Sequence, residues 1–185
     1  MVDVDDVRGS RLVVDHLVTL GHRRIAHIGG NEDMISAYNR RRGYLLAMES
    51  HGIEVDYRYV KHADYDGSVL ATAAAESLLQ LKRPPTAIFA GNDKIASASM
   101  KAAAKLGLRV PENLSIVGYD DSPLASYLNP PLTTVRQPLE AIGIKATKLV
   151  VSLINEEPLG VNIVYAIEPE LIVRATSAQV TQNVC

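Results

Sequence analysis

The chain has 185 residues, of which 47% are hydrophobic and 22% are charged, and this balance excludes disordered and fibrous classes. Its 19 basic and 21 acidic side chains give a net charge of −2, which offers no basic surface for a nucleic-acid backbone. The one cysteine, Cys185, is the last residue, so a disulfide framework and a cysteine-based metal site are excluded. With no basic leader and no apolar stretch of about 18 residues, the sequence predicts a cytoplasmic protein without a membrane partner.

Short apolar runs alternate with longer segments of helical period along most of the chain. Four runs predict strands because they are rich in Ile, Val, Tyr and Phe and end at Gly, Pro or Asp: residues 24–30, 57–62, 86–91 and 115–120. Helices are expected between them, over about 12–20, 37–50, 67–81 and 93–105, with glycines 21, 52 and 107 just past three of their ends. The third helix is expected to turn four residues inward: Val69, Ala73, Leu78 and Leu81. Strand starts about thirty residues apart are typical of βαβ units. The pattern predicts an α/β fold with a parallel sheet covered on both faces.

The carboxyl-terminal part has a different pattern. After Pro130 and Pro131, residues 132–138 form a short strand-like link, and Pro138 begins a helix that runs to about Asn155. That helix is apolar around much of its circumference, so it should be covered from more than one side. Two further strands are expected between 161 and 178, interrupted near Pro169.

Open parallel sheets bind ligands beyond the carboxyl ends of their strands. This rule selects residues 29–31, 91–93 and 120–122 as candidates. Asp121 precedes a short helix and is expected to cap it. Arg40, in a run of three arginines, is equally compatible with a solvated helix face and with an anion or hydroxyl contact.

Signatures of catalysis are absent from the sequence. It contains no Walker-type GxxxxGK[ST], no GxGxxG, no HExxH and no GxSxG, and the Gly29-Gly30 pair fits a turn better than a phosphate cradle. His22 and His27 are expected at the surface and at a strand edge rather than on a metal. We therefore expect no enzyme activity, no catalytic residues, no metal and no cofactor.

Five stretches together resemble the effector-binding core of the lactose-repressor (LacI/GalR) family of bacterial transcription regulators. They are residues 2–30, 40–53 (RRRGYLLAMESHGI), 87–125 (including AIFAGNDK and SIVGYDDSPLA), 129–138 (NPPLTTVRQP) and 169–178 (PELIVRATSA). The resemblance implies a type I periplasmic-binding-protein-like fold of two α/β lobes with an effector in the cleft between them. It also implies that this chain lacks the helix-turn-helix through which such regulators contact operator DNA.

The resemblance divides the chain between the two lobes. Residues 1–131 and 162–178 are expected in the carboxyl-terminal lobe, and residues 132–161, the link and the helix, in an amino-terminal lobe that is otherwise missing. Three family effector contacts fall on Arg40, Asn92 and Asp120. Family members dimerise through this lobe, which places Ser97, Leu124, Tyr127 and Leu128 at a homodimer interface.

The function implied is sensing of a small metabolite, a sugar or sugar-like molecule, which changes the populations of lobe arrangements and so operator binding. A periplasmic-type sugar-binding protein is the alternative, since it shares the fold. An α/β enzyme is the weaker alternative.

Overall fold

We describe a computed structural model of the chain over residues 2–155 and 165–180. The strands are β1 (Val2–Val4), β2 (Ile25–Gly29), β3 (Val60–His62), β4 (Ala87–Ala90), β5 (Ser115–Asp120), β6 (Thr133–Arg136), β7 (Tyr165–Ile167) and β8 (Glu170–Ile172). The helices are α1 (Asp6–Thr19), α2 (Ile35–Ser50), α3 (Val69–Leu79), α4 (Asp93–Lys105), α5 (Pro123–Tyr127) and α6 (Leu139–Ile154), with a 3-10 turn at Tyr57–Tyr59. All four strands predicted in the first 131 residues are present, although the second of them is limited to Val60–His62.

The main sheet has six strands in the order β3-β2-β4-β5-β6-β8. All neighbours are parallel except β6 and β8, which pair antiparallel. Helices cover both faces of this sheet, as the predicted α/β class requires. Helices α1 and α2 bury one core with Val13, Tyr44 and Phe89, while α3 and α4 bury the other with Leu78 and Ile95.

Two predicted details of the helices differ from the structure. Val69 and Ala73 were expected to face the core, but Val69 is 83% exposed and Ala73 is also exposed. The helical face that packs on the sheet is instead marked by Ala71, Ala75 and Leu78, which are completely buried. The predicted helix ends at Gly21 and Gly107 are confirmed, with φ of 89° and 72°.

The predicted boundary at residue 131 is wrong for the segment that follows it. Residues 132–136 were expected outside this lobe, yet Thr133–Arg136 forms β6, between β5 and β8 of the main sheet. Leu132 and Val135 are completely buried there. The double proline therefore turns the chain back into the same sheet and does not mark its exit.

A second, two-stranded sheet pairs β1 with β7 in parallel. Residues 2–4 and 165–167 were expected in the carboxyl-terminal lobe. They pair with each other instead and not with any strand of the six-stranded sheet. Helix α6 contacts β1 and buries none of its own residues, so its apolar side chains, such as Leu153 and Ile154, stay exposed. The parts of the predicted ranges that fall on residues 156–164 lie outside the described residues.

Candidate functional site

The carboxyl ends of β4, β5 and β6 bring a cluster of polar side chains together around Arg40. Arg40 lies in the first half of α2, and its Nε donates to Asp6 Oδ1 at 2.8 Å. One terminal nitrogen donates to the Gly91 carbonyl at 2.6 Å and to Asp120 Oδ1 at 3.3 Å. The guanidinium also lies 3.8 Å from the centroid of the Tyr119 ring. We call Asp6, Arg40, Asp120 and Gln137 the strand-end cluster.

Asp120 is much more open to solvent than the arginine that it pairs with. Its side chain is 36% exposed, against 6% for that of Arg40. Gln137, which directly follows β6, donates from Nε2 to Asp120 Oδ1 at 2.6 Å. Among the described residues, Asp120 Oδ2 has no hydrogen-bond partner, so this oxygen can accept from a ligand.

The backbone at the end of β5 is strained. Asp120 has φ of 111° and Asp121 has φ of 51°, both in the region that favours glycine. Such strain persists only where the surrounding contacts hold it, and it concentrates at ligand sites. Here it turns the two neighbouring carboxylates towards different partners.

The expectation that Asp121 caps the following helix is wrong. The residue at the cap position of α5 is Ser122, which makes no capping hydrogen bond through its side chain. The Asp121 carboxylate instead accepts from Arg136 Nε at 2.7 Å and from an Arg174 terminal nitrogen at 2.6 Å. Asp121 therefore ties the end of β5 to β6 and to the segment after β8.

Asn92 is committed mainly to the protein itself. Its Oδ1 accepts from the Ile95 backbone at 2.9 Å, which caps α4, and its Nδ2 donates to the Tyr65 carbonyl at 2.9 Å. One amide hydrogen remains for a ligand, and only 6% of the residue is exposed. The neighbouring Asp93 is also used internally, since it accepts from Ser122 and from Thr134 Oγ1.

The electrostatics of the strand-end cluster favour a ligand that donates hydrogen bonds. Burial raises the pKa of Asp120 and of Asp6, although Arg40 lowers both. Burial lowers the pKa of Arg40, but its acidic and tyrosine neighbours, Asp6 foremost, together raise that pKa above its usual value. With both carboxyl groups ionised, two negative charges face one positive charge, which disfavours an anionic ligand.

Two histidines expected at the surface and at a strand edge are buried. His22 is 2% exposed and bonds to Thr86, Ser115 and the Ala178 carbonyl. His27 is completely buried, and its Nδ1 donates to the Phe89 carbonyl at 3.1 Å. Burial lowers the pKa of His27 to about 3, so the ring is neutral at physiological pH.

The residues expected at a dimer interface lie on α4, on α5 and at the residue that directly follows α5, and these two helices contact each other. Tyr127 is 86% exposed, and Ser97, Leu124 and Leu128 are half-buried. The structure brings these positions near one surface, and their role in dimerisation stays a prediction.

Three residues of the site were missed from the sequence. Gln137 follows β6, so the strand-end rule would have selected it had residues 133–136 been assigned to this sheet. Tyr65 packs on Gly30, where a Cβ would collide with its ring. The glycine was expected for a turn, but its role here is to make space for the tyrosine ring. Asp6 carries no sequence signal, because its partner Arg40 lies 34 residues away.

No group of three or more His, Cys, Asp or Glu side chains in residues 2–155 and 165–180 could hold a metal ion. Over the same ranges, the helices are too short or too polar to cross a bilayer.

Comparison with known proteins places these features in a family. Residues 14–177 match the profile of the periplasmic binding protein-like domain. The transcriptional regulator CelR of Thermobifida fusca is 39% identical over 158 residues, which are 84% of this chain and 46% of CelR. The chain thus spans about half the length of the curated relatives it matches.

Solved structures agree with this assignment. A CelR–cellobiose complex superposes with a TM-score of 0.89 and 35% identity, over 95% of this chain and 53% of that one. A regulatory protein of the LacI family from Chloroflexus aggregans gives a TM-score of 0.88 and 36% identity, over 96% and 63% of the two chains.

Proposed function

Because this chain belongs to the LacI family of transcription regulators through its periplasmic-binding-protein-like domain, we propose that it senses a small polar effector for such a regulator. The relatives are regulators and not enzymes, and no step of catalysis is assigned to this chain. In such a regulator the effector signal would reach operator DNA in the cytoplasm through a helix-turn-helix, in a homodimer.

One observation carries the proposal: at the carboxyl edge of the main sheet, Asp120 presents a carboxylate oxygen that has no hydrogen-bond partner within the described part of the chain. Arg40 and Gln137 hold the other oxygen, so the side chain is fixed before a ligand arrives. A fixed acceptor pays less ordering entropy on binding, which favours affinity. Arg40 has one terminal nitrogen without a partner among the described residues and is a second contact, with Asn92 as a third.

The chemistry of these contacts indicates the effector class. A carboxylate accepts from hydroxyl groups, which are abundant on neutral sugars, and the excess negative charge of the cluster repels phosphorylated ones. The solved CelR relative is in complex with cellobiose, a neutral sugar, which supports this effector class.

A thermal-shift screen of the protein tests the proposal. The panel contains neutral sugars, beginning with cellobiose, and the phosphate ester of each sugar where one exists. We expect at least one neutral sugar to raise the unfolding temperature and its phosphate ester to raise it less. A panel in which only phosphate esters stabilise the protein would contradict the proposed effector class.

A further inference from the structure

Asp6 belongs to the strand-end cluster but lies away from its open side. It is in the first turn of α1 and is 3% exposed, whereas the side chain of Asp120 is 36% exposed. Its Oδ1 accepts a hydrogen bond at 2.8 Å from Arg40 Nε, the nitrogen that joins the guanidinium to the side-chain stem. An effector that enters at the edge of the sheet therefore meets Asp120 and Arg40 but not Asp6.

Two glycines bring α1 close enough for this contact. Gly43 follows Arg40 by about one turn of α2, and a Cβ at Gly43 would lie 2.6 Å from the Val7 carbonyl oxygen. In α1, a Cβ at Gly9 would collide with the Tyr119 hydroxyl. Because neither glycine has a Cβ, α1 packs closely on α2 and on β5, and an aspartate, whose side chain is short, reaches the guanidinium.

The contact with Asp6 takes up part of a group that would otherwise favour anions. A guanidinium in a ligand site commonly donates two parallel hydrogen bonds to a carboxylate or phosphate. Arg40 Nε is already committed to Asp6, and one terminal nitrogen is committed to the Gly91 carbonyl and to Asp120. Among the described residues, the other terminal nitrogen alone has no partner, so Arg40 does not offer a ligand such a pair of donors.

The charges around Arg40 act in the same direction. Burial lowers the pKa of Arg40, and Asp6 raises it more than Asp120 does, so Asp6 is the stronger electrostatic partner. The pKa of Asp93 is raised by its burial and, to a lesser degree, by Asp120, so a third carboxylate is also close. Three carboxylates thus lie near one guanidinium, and they repel an anionic effector but not a neutral one.

We propose that Asp6 is a specificity-determining residue of the effector site, and that it makes the site select uncharged effectors over anionic ones without touching either. It occupies the Nε edge of Arg40 and offsets the positive charge from the buried side. The guanidinium then serves a hydroxyl group as a single donor and does not serve an anion as a pair of donors. This inference rests on the proposed effector site and adds to it a residue that the ligand does not reach.

Calorimetric titration of the wild type and of Asp6→Asn tests this role. The probes are matched pairs that differ in charge: glucose with glucuronate, galactose with galacturonate, and cellobiose with cellobiose 6-phosphate. Asparagine keeps an acceptor oxygen for Arg40 Nε and nearly the same volume, but it removes the negative charge. In the pair whose neutral member binds the wild type, we expect the affinity of the anion relative to that of the neutral sugar to rise by about tenfold or more in the variant.

A residue with a purely structural role would not change this ratio, because a distorted site loses affinity for both members of a pair. An equal loss for both members in Asp6→Asn, or an unchanged ratio, would overturn the proposal. Asp6→Ala is the second variant, since it removes the charge and the acceptor together, and it should change the ratio in the same direction. Thermal unfolding checks that each variant is folded, and failure of both to fold would make Asp6 a structural residue and overturn the proposal.

The control variant is Glu49→Gln, which removes one negative charge from an exposed side chain in the last turn of α2 and should leave the ratio unchanged. An equal rise in this control would show an effect of net charge alone and would also overturn the proposal. A wild type that binds a neutral sugar, with the same preference in Asp6→Asn, would overturn the role of Asp6 alone. A wild type that binds none of the three neutral sugars would contradict the proposed function and this inference with it.

Discussion

At the scale of single residues, two neighbouring aspartates have separate roles. Asp120 faces Arg40 and Gln137 at the open edge of the sheet, whereas Asp121 is held by Arg136 and Arg174. The sequence placed both at a strand end, and the strand-end rule selected Asp120 correctly as a residue of that edge. It could not predict the partners of Asp121, because they lie 15 and 53 residues further along the chain.

Substitution of Asp121 should separate strain from ion pairing. Asp121→Ala loses both arginine contacts. It also leaves a residue with a Cβ at φ of 51°, where no polar side chain remains to hydrogen-bond the nearby backbone. Asp121→Gly loses the same contacts but adopts this φ freely. We expect urea unfolding to show a larger loss for alanine than for glycine, by about 1 kcal/mol. Equal losses would show that the backbone at this position is not strained.

His27 should make stability depend on pH. Its pKa is lowered from 6.5 to about 3 by burial, so between these values the unfolded chain binds a proton that the folded protein does not. The free energy of unfolding should therefore fall as pH drops below about 6.5, by up to about 1.4 kcal/mol per pH unit.

The variant His27→Asn tests this effect, because its amide can still donate to the Phe89 carbonyl but does not titrate. Its unfolding free energy, measured between pH 6 and 4.5, should fall less steeply than that of the wild type. If His27→Asn keeps the full slope, the acid sensitivity arises elsewhere.

At the scale of elements, the periodicity of the sequence predicted the helices and parallel strands well. Local signals sufficed because three of the helices end just before a glycine of positive φ, at Gly21, Gly52 and Gly107, and each central strand is a short apolar run. The segment after Pro131 was correctly predicted as strand-like, but it was assigned to the wrong lobe. Its place is set by pairing with β5 and β8, which are contacts between distant parts of the chain. Local periodicity carries no information about which neighbour a strand pairs with.

Substitution of Asn92 tests how much its side chain contributes to the stability of α4. Asn92→Ala removes the cap of α4 and the bond to Tyr65, so the free energy of unfolding should fall by about 1–2 kcal/mol. Asn92→Asp keeps the acceptor for the Ile95 backbone and should lose less in a denaturant titration. A variant Asn92→Ala as stable as the wild type would show that this cap does not support α4.

At the scale of the whole molecule, the two ends of the main sheet carry opposite charge. The carboxyl end presents the strand-end cluster with its excess negative charge, and the other end presents four arginines beside two acids: Arg23, Arg24, Arg58 and Arg83 with Glu54 and Asp56. Between them, α4 and α5 form the surface predicted to meet a second copy. The sequence resemblance supplied this interface, and composition and periodicity alone would not have.

Tyr127 should control dimerisation if that prediction is right. Its side chain is 86% exposed in the single chain, and Tyr127→Asp would place a charge in an apolar contact. Sedimentation velocity should show a dimer for the wild type and a monomer for the variant. Tyr57→Asp changes another exposed tyrosine and should stay dimeric. A monomeric wild type, or a dimeric Tyr127→Asp, would contradict the predicted interface.

The most direct test of the effector site is calorimetric titration with the sugar that gives the largest thermal shift. Asp120→Asn replaces the fixed carboxylate by an amide of similar size, and its affinity should fall by about tenfold or more, since a charge-assisted hydrogen bond is lost. The control, Glu49→Gln, neutralises an exposed carboxylate in the last turn of α2 and should bind as the wild type does. Undiminished affinity in Asp120→Asn would contradict the assignment of this aspartate as the principal effector contact.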